Sequence, residues 1–407
     1  MTKLILSTGN IVSGGPSIIR KPGAFRSNFE LTNSLRSSFL AAQQASIEDE
    51  EYNAQNSSPA ADTGAAATTT ATSTATTNGA AVNGDASSTV KTNGTHKTPE
   101  NGTNGVASNG TSRHRRPALS SWTQRDGKTL YIPSVDWPLA AGEVTTTASA
   151  ASAASAKITA TKDAETGSTT SGSSSGGLLE EASQYDTTVK LFFLPGALPV
   201  EARAQFAEEA LGLVFRELGV DSVDLLVLSF PGVSFEGDCE WKADKINATQ
   251  GNEDDEVATW TAAAETLHKA GKVRRLGVAE FGSEKLARFV ARVGVPPAVD
   301  QINIHNCCNV PPPLTALAKD KGIELLVHTD CTDILPPGTL RELLGQGLQG
   351  AGVLVDEERS DDGIPPPADA LRGDLTPLWV VKYTAVVRDR GVIENKGYFA
   401  GALLHDQ

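Results

Sequence analysis

Apolar residues recur along this chain in two rhythms, and the switches between them mark its elements. Leu4-Ile5-Leu6, followed by Ser7-Thr8-Gly9-Asn10, reads as a short buried strand that ends in a glycine turn. From about residue 28 to 45 the spacing becomes helical, with Leu31, Leu35, Phe39 and Leu40 on one face. Beyond Thr187 the two rhythms alternate steadily. Strands are predicted at residues 189–194, 223–228, 273–278, 298–304 and 324–328. Helices are predicted between them at 201–218, at 256–270, through Leu286, Phe289 and Val290, and at 314–321. The strands are nearly all apolar, as parallel strands must be when crossover helices bury both faces of their sheet.

Composition changes this picture in the first half of the chain. Residues 47–117 and 145–177 are dominated by Ala, Ser, Thr, Asn and Gly. They offer too little apolar surface to offset ordering, at roughly 1–2 kcal/mol per backbone residue, and read as flexible insertions. Between them Trp122, Tyr131 and Trp137 form an island suited to docking on the main body. The expected organisation is therefore residues 1–46 as a first strand and helix, 47–186 as a largely disordered insert with an ordered island at 118–140, and 187–407 as the remainder of one domain. Without the two tracts roughly 300 residues remain, near the ~250 of a single (β/α)8 barrel. An open doubly wound sheet would want a G-x-G-x-x-G turn after a strand, and no such run follows any predicted strand. The predicted fold class is α/β, a (β/α)8 TIM-type barrel.

Charge and cysteine usage exclude several partners. The net charge is −14, which disfavours nucleic acid. The one basic cluster, Arg113, Arg115 and Arg116 around His114, sits within the polar insert. Cys239, Cys307, Cys308 and Cys331 show no C-x-x-C spacing, which fits a reducing, cytoplasmic setting. No run approaches the ~20 apolar residues of a membrane span. The sequons at Asn93, Asn101, Asn109 and Asn247 read as by-products of Asn/Thr/Gly richness.

Four segments carry a family resemblance. Residues 223–231 (VDLLVLSFP), 271–278 (GKVRRLGV), 297–303 (PAVDQIN) and 321–328 (KGIELLVH) resemble successive strands of the aldo-keto reductases in order and spacing. The resemblance implies that family's barrel and, in an active member, an Asp, Tyr, Lys and His set serving NADPH-dependent carbonyl reduction. Here the family's His position falls on Ser229 and its Lys position near Gly196, while Lys190 is placed at the opposite, starting end of its strand. The Ser-Asn pair that holds the nicotinamide amide corresponds to Ala279-Glu280. Its Gln is retained as Gln301, and the stacking Tyr corresponds to His328. Asp126 and Tyr131 reproduce the family's Asp–Tyr spacing, in a polar segment with no buried strand before it. The catalytic set is read as dismantled, with no cofactor required, residual NADPH binding at Gln301 and His328, and no metal.

A more specific resemblance lies elsewhere. Asn306-Cys307-Cys308-Asn309-Val310-Pro311-Pro312, residues 377–383 (PLWVVKY) and Lys396-Gly397-Tyr398 are similar to the regulatory (modifier) subunits of glutamate–cysteine ligase. That resemblance implies a non-catalytic chain in a heterodimer with the catalytic subunit, modulating the first step of glutathione biosynthesis. A working NADPH-dependent reductase is the alternative. The resemblance suggests Cys307 or Cys308 for pairing with a cysteine of the partner, although both could equally pack as small apolar groups. Trp379, Tyr383 and Tyr398 are interface candidates because aromatic residues dominate binding hot spots. Equally, Trp379 and Tyr383, four apart on an expected helix, could close the core. His305 and His328 end neighbouring strands and read as hydrogen-bonded structural histidines. The acidic runs 48–51 and 253–256 read as solvated loops. Ser229 lacks a general base at any motif spacing, which argues against a hydrolase.

Overall fold

The computed structural model describes residues 1–12, 26–56, 116–135, 137, 177–196, 199–303, 309–330, 333–347, 349–355 and 365–405. Most of the two biased tracts, and His305, Cys307, Cys308 and Cys331, lie outside them. By internal contacts the chain forms one unit of residues 1–49 with 115–407 and a second of residues 50–114.

Among the described residues ten strands form one sheet: β1 (Thr2–Ser7), β2 (Gln124–Asp126), β3 (Thr129–Ile132), β4 (Tyr185–Phe193), β5 (Val223–Ser229), β6 (Val273–Ala279), β7 (Val299–Asn303), β8 (Glu324–His328), β9 (Asp374–Val387) and β10 (Val392–His405). Their order is β2-β3-β1-β10-β9-β4-β5-β6-β7-β8. From β4 to β8 every pairing is parallel, as the apolar strands and intervening helices predict. The fold is α/β, but its other half departs from the eight parallel strands of a (β/α)8 barrel. β4 pairs antiparallel with β9, β9 with β10, and β10 with β1.

Two boundaries of the expected insert also move. The first helix runs over Ser27–Asn56, past the expected end at residue 46, and β4 begins at Tyr185. The island joins the sheet: β3 lies parallel to β1, and Trp122 is buried. A one-turn helix in front of it, Leu119–Trp122, has its first amides capped by Asp369, which accepts from Leu119 N at 2.8 Å and Ser120 N at 2.9 Å.

The helix expected around Trp379 and Tyr383 is a strand, and the reason is geometric. A spacing of four puts two residues on one helix face, but it also puts them on one strand face, because strands repeat every two. Val380, Val381, Thr384, Val386 and Val387 tip the balance, since β-branched side chains suit a pleated surface. Trp379, Val381, Tyr383 and Ala385 face the core under the helix Ala202–Leu218, while Val380 faces a second core with Leu31, Leu35 and Phe39 of the helix Ser27–Asn56.

The strand β10 makes room for these rings. Gly401 lies opposite Trp379 and Gly397 opposite Tyr383. A Cβ on Gly401 would stand 2.5 Å from the Trp379 ring, and one on Gly397 would stand 2.2 Å from the Tyr383 hydroxyl. Gly401→Ala is therefore expected to cost about 1–3 kcal/mol by overpacking, measured by chemical denaturation. A variant of unchanged stability would show that the ring shifts freely.

Candidate polar cluster inside the curled sheet

The parallel strands curl until residues at the end of β8 meet side chains of β4. Alternation sets which side chains point inward. Thr188 and Lys190 of β4, Thr384 and Lys382 of β9, Gln301 of β7 and His328 of β8 line one common cavity. Lys190 stands directly opposite Lys382 in the antiparallel ladder, a like-charge pairing that is destabilising on its own. Asp330, two residues beyond β8, relieves it: Lys382 Nζ donates to its Oδ1 at 2.6 Å and Lys190 Nζ to its Oδ2 at 3.1 Å. The backbone of Asp330 is anchored in turn, with Asn303 Nδ2 donating to its carbonyl O at 3.0 Å.

Burial and pairing pull these groups in different directions. Desolvation lowers the Lys190 ammonium from its usual range, opposed by Asp330 and Glu280. Burial pushes the Asp330 carboxyl up, but Lys190 and Lys382 outweigh it and hold the carboxyl far below the usual carboxylate range. An ion pair with its carboxylate this deeply placed is strongly coupled to packing.

Glu280 occupies the next layer, toward the strand ends. It is the one non-glycine residue with positive φ among the described residues, at 67°, a conformation that costs about 1 kcal/mol or more and persists only where surroundings enforce it. Its carboxylate supplies that enforcement. Oε2 accepts from Phe235 N at 3.0 Å and from Asn303 N at 3.3 Å, and Oε1 lies 2.7 Å from His328 Nε2. Asp330 N donates to His328 Nδ1 at 3.1 Å, so the imidazole carries its proton on Nε2 and donates to Glu280. One carboxylate thereby ties together the segments at the ends of β5, β6, β7 and β8. Nearby, Asp300 is wholly buried with its Oδ1 accepting from Phe281 N at 3.4 Å, and desolvation lifts its carboxyl well above the usual range.

Above this layer, at the C-terminal ends of the strands, opens a cleft of about 1110 Å3. Its lining includes Phe192, Phe193, Phe230, Pro195, Pro377 and Ser229.

The sequence-derived site residues separate into distinct places. Gln301 and His328 do come together, beside Lys190 and Lys382. Ser229 ends β5 and Gly196 lies three residues beyond β4, and neither has a titratable side chain. Lys190 requires correction: it is not at the starting end of its strand but within β4, opposite Val227. Asp126 and Tyr131 do not reach this cluster. They belong to the hairpin β2–β3, and Tyr131 packs in the helix-covered core near Arg216 and Glu209, its hydroxyl pushed up mainly by burial.

The aromatic interface candidates are also relocated. Trp379, Tyr383 and Tyr398 are each 0% exposed. Tyr383 Oη donates to Glu217 Oε1 at 3.3 Å, and Tyr398 Oη to Glu30 Oε1 at 2.6 Å. A side chain with no accessible surface cannot meet a partner in this conformation, so these three close the cores.

Sequence reasoning missed Asp330, Lys382 and the role of Glu280. A signal was available. Lys190 and Lys382 each interrupt a strongly apolar strand, and a lysine buried in a strand demands a carboxylate near it.

Residues 179–331 match the model of the aldo/keto reductase family. A Schizosaccharomyces pombe protein named as a putative glutamate–cysteine ligase regulatory subunit is 31% identical over 225 residues, which cover 53% of this chain and 70% of the relative. The chain belongs to the family of glutamate–cysteine ligase regulatory subunits. The glutamate–cysteine ligase regulatory subunits of Mus musculus and Homo sapiens are 25% and 24% identical over 223 residues, covering 55% of this chain and 68% of each relative. Among solved structures, a Bombyx mori aldo-keto reductase in complex with NADP is 25% identical, with a TM-score of 0.25 over 35% of this chain and 40% of that one. An aldose reductase from Giardia lamblia is 22% identical, with a TM-score of 0.25 over 35% of this chain and 44% of that one.

In this member of the regulatory-subunit family, the positions that the aldo-keto reductase resemblance aligns with a nicotinamide amide site lack the groups to hold one. Ala279 has no polar side chain, and both oxygens of Glu280 are engaged by Phe235, Asn303 and His328. The His328 ring, fixed by Asp330 and Glu280, is held in that network. Among the described residues no group of three or more His, Cys, Asp and Glu side chains could hold a metal ion, and no helix is long and apolar enough to cross a membrane.

Proposed function

We propose that this chain is the regulatory subunit of a glutamate–cysteine ligase, binding the catalytic subunit as a heterodimer and modulating the first step of glutathione biosynthesis. The observation that carries this reading is the match across 70% of the S. pombe relative's length. The polar cluster is consistent with a chain that does no chemistry. The carbonyl-reducing set would need a Tyr acid close to a Lys, whereas Tyr131 packs against the helix Ala202–Leu218 and Lys190 is committed to Asp330. Regulation needs only a coupling free energy between two surfaces, typically ~1–3 kcal/mol, and no cofactor. A retained NADPH would have to bind without the amide contacts that Ala279 and Glu280 fail to offer. Cys307 and Cys308 stay within this proposal as contacts to the partner.

The test is co-purification of the chain with its own glutamate–cysteine ligase catalytic subunit, then assay of the ligase with and without it. A stable complex with altered glutamate dependence is expected. The family-model match over residues 179–331 keeps one other reading in view, a carbonyl reductase. No complex, together with NADPH oxidation on simple aldehydes by the chain alone, would establish that reading instead.

A further inference from the structure

The cavity beside the Lys190–Asp330–Lys382 layer has a volume of about 280 Å3, and its lining includes the Asp330 carboxylate beside the donors of Thr188, Lys190, Lys382 and Thr384. Its wall contains two rungs of the β4–β9 ladder on one face, Thr188 opposite Thr384 and Lys190 opposite Lys382. Residues two apart on a strand share a face, so these four side chains form a square of donors on one surface. Gln301 and His328 extend the lining from β7 and β8.

The donors exceed the acceptors that the described residues supply. Each ammonium carries three N–H donors, and Asp330 takes one from each lysine. The Glu280 carboxylate offers little on this side, because Phe235 N, Asn303 N and His328 engage its oxygens. The two Thr hydroxyls, the Gln301 amide and the remaining lysine N–H groups therefore converge on the cavity. Two ammoniums face the cavity against the one lining carboxylate, Asp330, which favours an anion over a cation, and an apolar ligand would leave their donors unmet. The cavity is below the ~300–1,000 Å3 of drug-sized sites, too small for a dinucleotide.

We propose that this cavity is a binding site for a small oxyanion, a short carboxylate or a phosphate, held between the Thr188–Thr384 and Lys190–Lys382 rungs. The site adjoins the cleft at the strand ends, sharing Thr329 and Asp330 with it, and it stands whether or not the chain regulates a ligase. The full chain is titrated calorimetrically with malonate and with inorganic phosphate, at ionic strength held constant with chloride. Saturable binding of at least one anion with a stoichiometry of one is expected. Malonate alone would identify a carboxylate site, phosphate alone a phosphate site, and both a general oxyanion site.

Two variants locate the binding. Thr384→Val keeps the side-chain shape and the ion cluster but removes a donor, and Lys382→Gln removes a charge. Each is expected to weaken binding about tenfold or more, the loss of roughly 1.4 kcal/mol of interaction. Thr384→Val keeps the test decisive if Lys382→Gln fails to fold. The proposal is overturned if neither anion saturates beyond the chloride control, or if Thr384→Val binds as the native chain does.

Discussion

Replacing Asp330 by Asn is expected to destabilise the chain by about 3–5 kcal/mol, the usual consequence of removing one partner from a buried ion pair. The geometry makes the loss large. Lys190 has a side chain only 5% exposed and Lys382 one 20% exposed, and both donate to this carboxylate. The Asp330→Asn change would leave two ammoniums facing each other across the ladder with a neutral amide between them. Chemical denaturation at neutral pH measures the effect, and a loss below about 1 kcal/mol would show that water or backbone relaxation satisfies the lysines.

The pH dependence of the native chain provides an independent check. Lys190 and Lys382 overcome the desolvation of Asp330 and hold its carboxyl below the ordinary range. The folded chain therefore binds fewer protons here than the unfolded chain. The stabilisation from this group is complete above the unfolded value of ~3.9 and is lost as pH falls through the depressed folded value. Below a pH of about 4 the Asp330→Asn variant should lose stability less steeply than the native chain, so that the two converge.

Periodicity reveals more of this fold than of its site. The parallel run from β4 to β8 follows from apolar strands alternating with amphipathic helices, because both properties are local. Strand β9 is harder to read. Trp379 and Tyr383 satisfy helical and strand spacing alike; the β-branched residues between and after them favour the strand, and the pairing with β4 on one side and β10 on the other completes the decision. Gly397 and Gly401 carry part of that decision, since each faces an aromatic ring where a Cβ would collide. Those glycines look ordinary until the register is known.

The site was legible where family positions could be followed, and obscure where contact is non-local. Gln301 and His328 line one cavity. Lys190 and Lys382 come from distant parts of the chain and meet only through an antiparallel register that no local pattern encodes. Asp126 and Tyr131 show the converse. Their spacing suits a catalytic pair, but a hairpin places them in a different part of the sheet from Lys190. Burial likewise assigns Tyr398, which is polar at one end, to a bond with Glu30 rather than to a partner.

The second buried pair, Lys285 with Glu256, is expected to be as costly to break. Their side chains are 1% and 3% exposed, and Lys285 Nζ lies 2.7 Å from Glu256 Oε2 while donating to Gln250 O at 2.8 Å. The carboxylate contact is one of charge proximity more than of an aligned hydrogen bond, since neither Glu256 oxygen has a well-aligned donor among the described residues. Burial accordingly wins at Glu256 and raises its carboxyl, although Lys285 opposes it. Lys285→Met removes that opposition and should cost about 3–5 kcal/mol at neutral pH. A raised carboxyl binds its proton in the folded state first. The variant's deficit should therefore shrink as pH falls through the folded value toward the unfolded ~4.3. Adding Glu256→Gln should restore most of the loss at neutral pH, because an uncompensated charge, not the missing lysine itself, is what the core rejects. If the double variant stays as unstable as Lys285→Met, the dominant contribution is the lysine's packing and its cation–π contact, 5.1 Å from the Phe281 ring centroid.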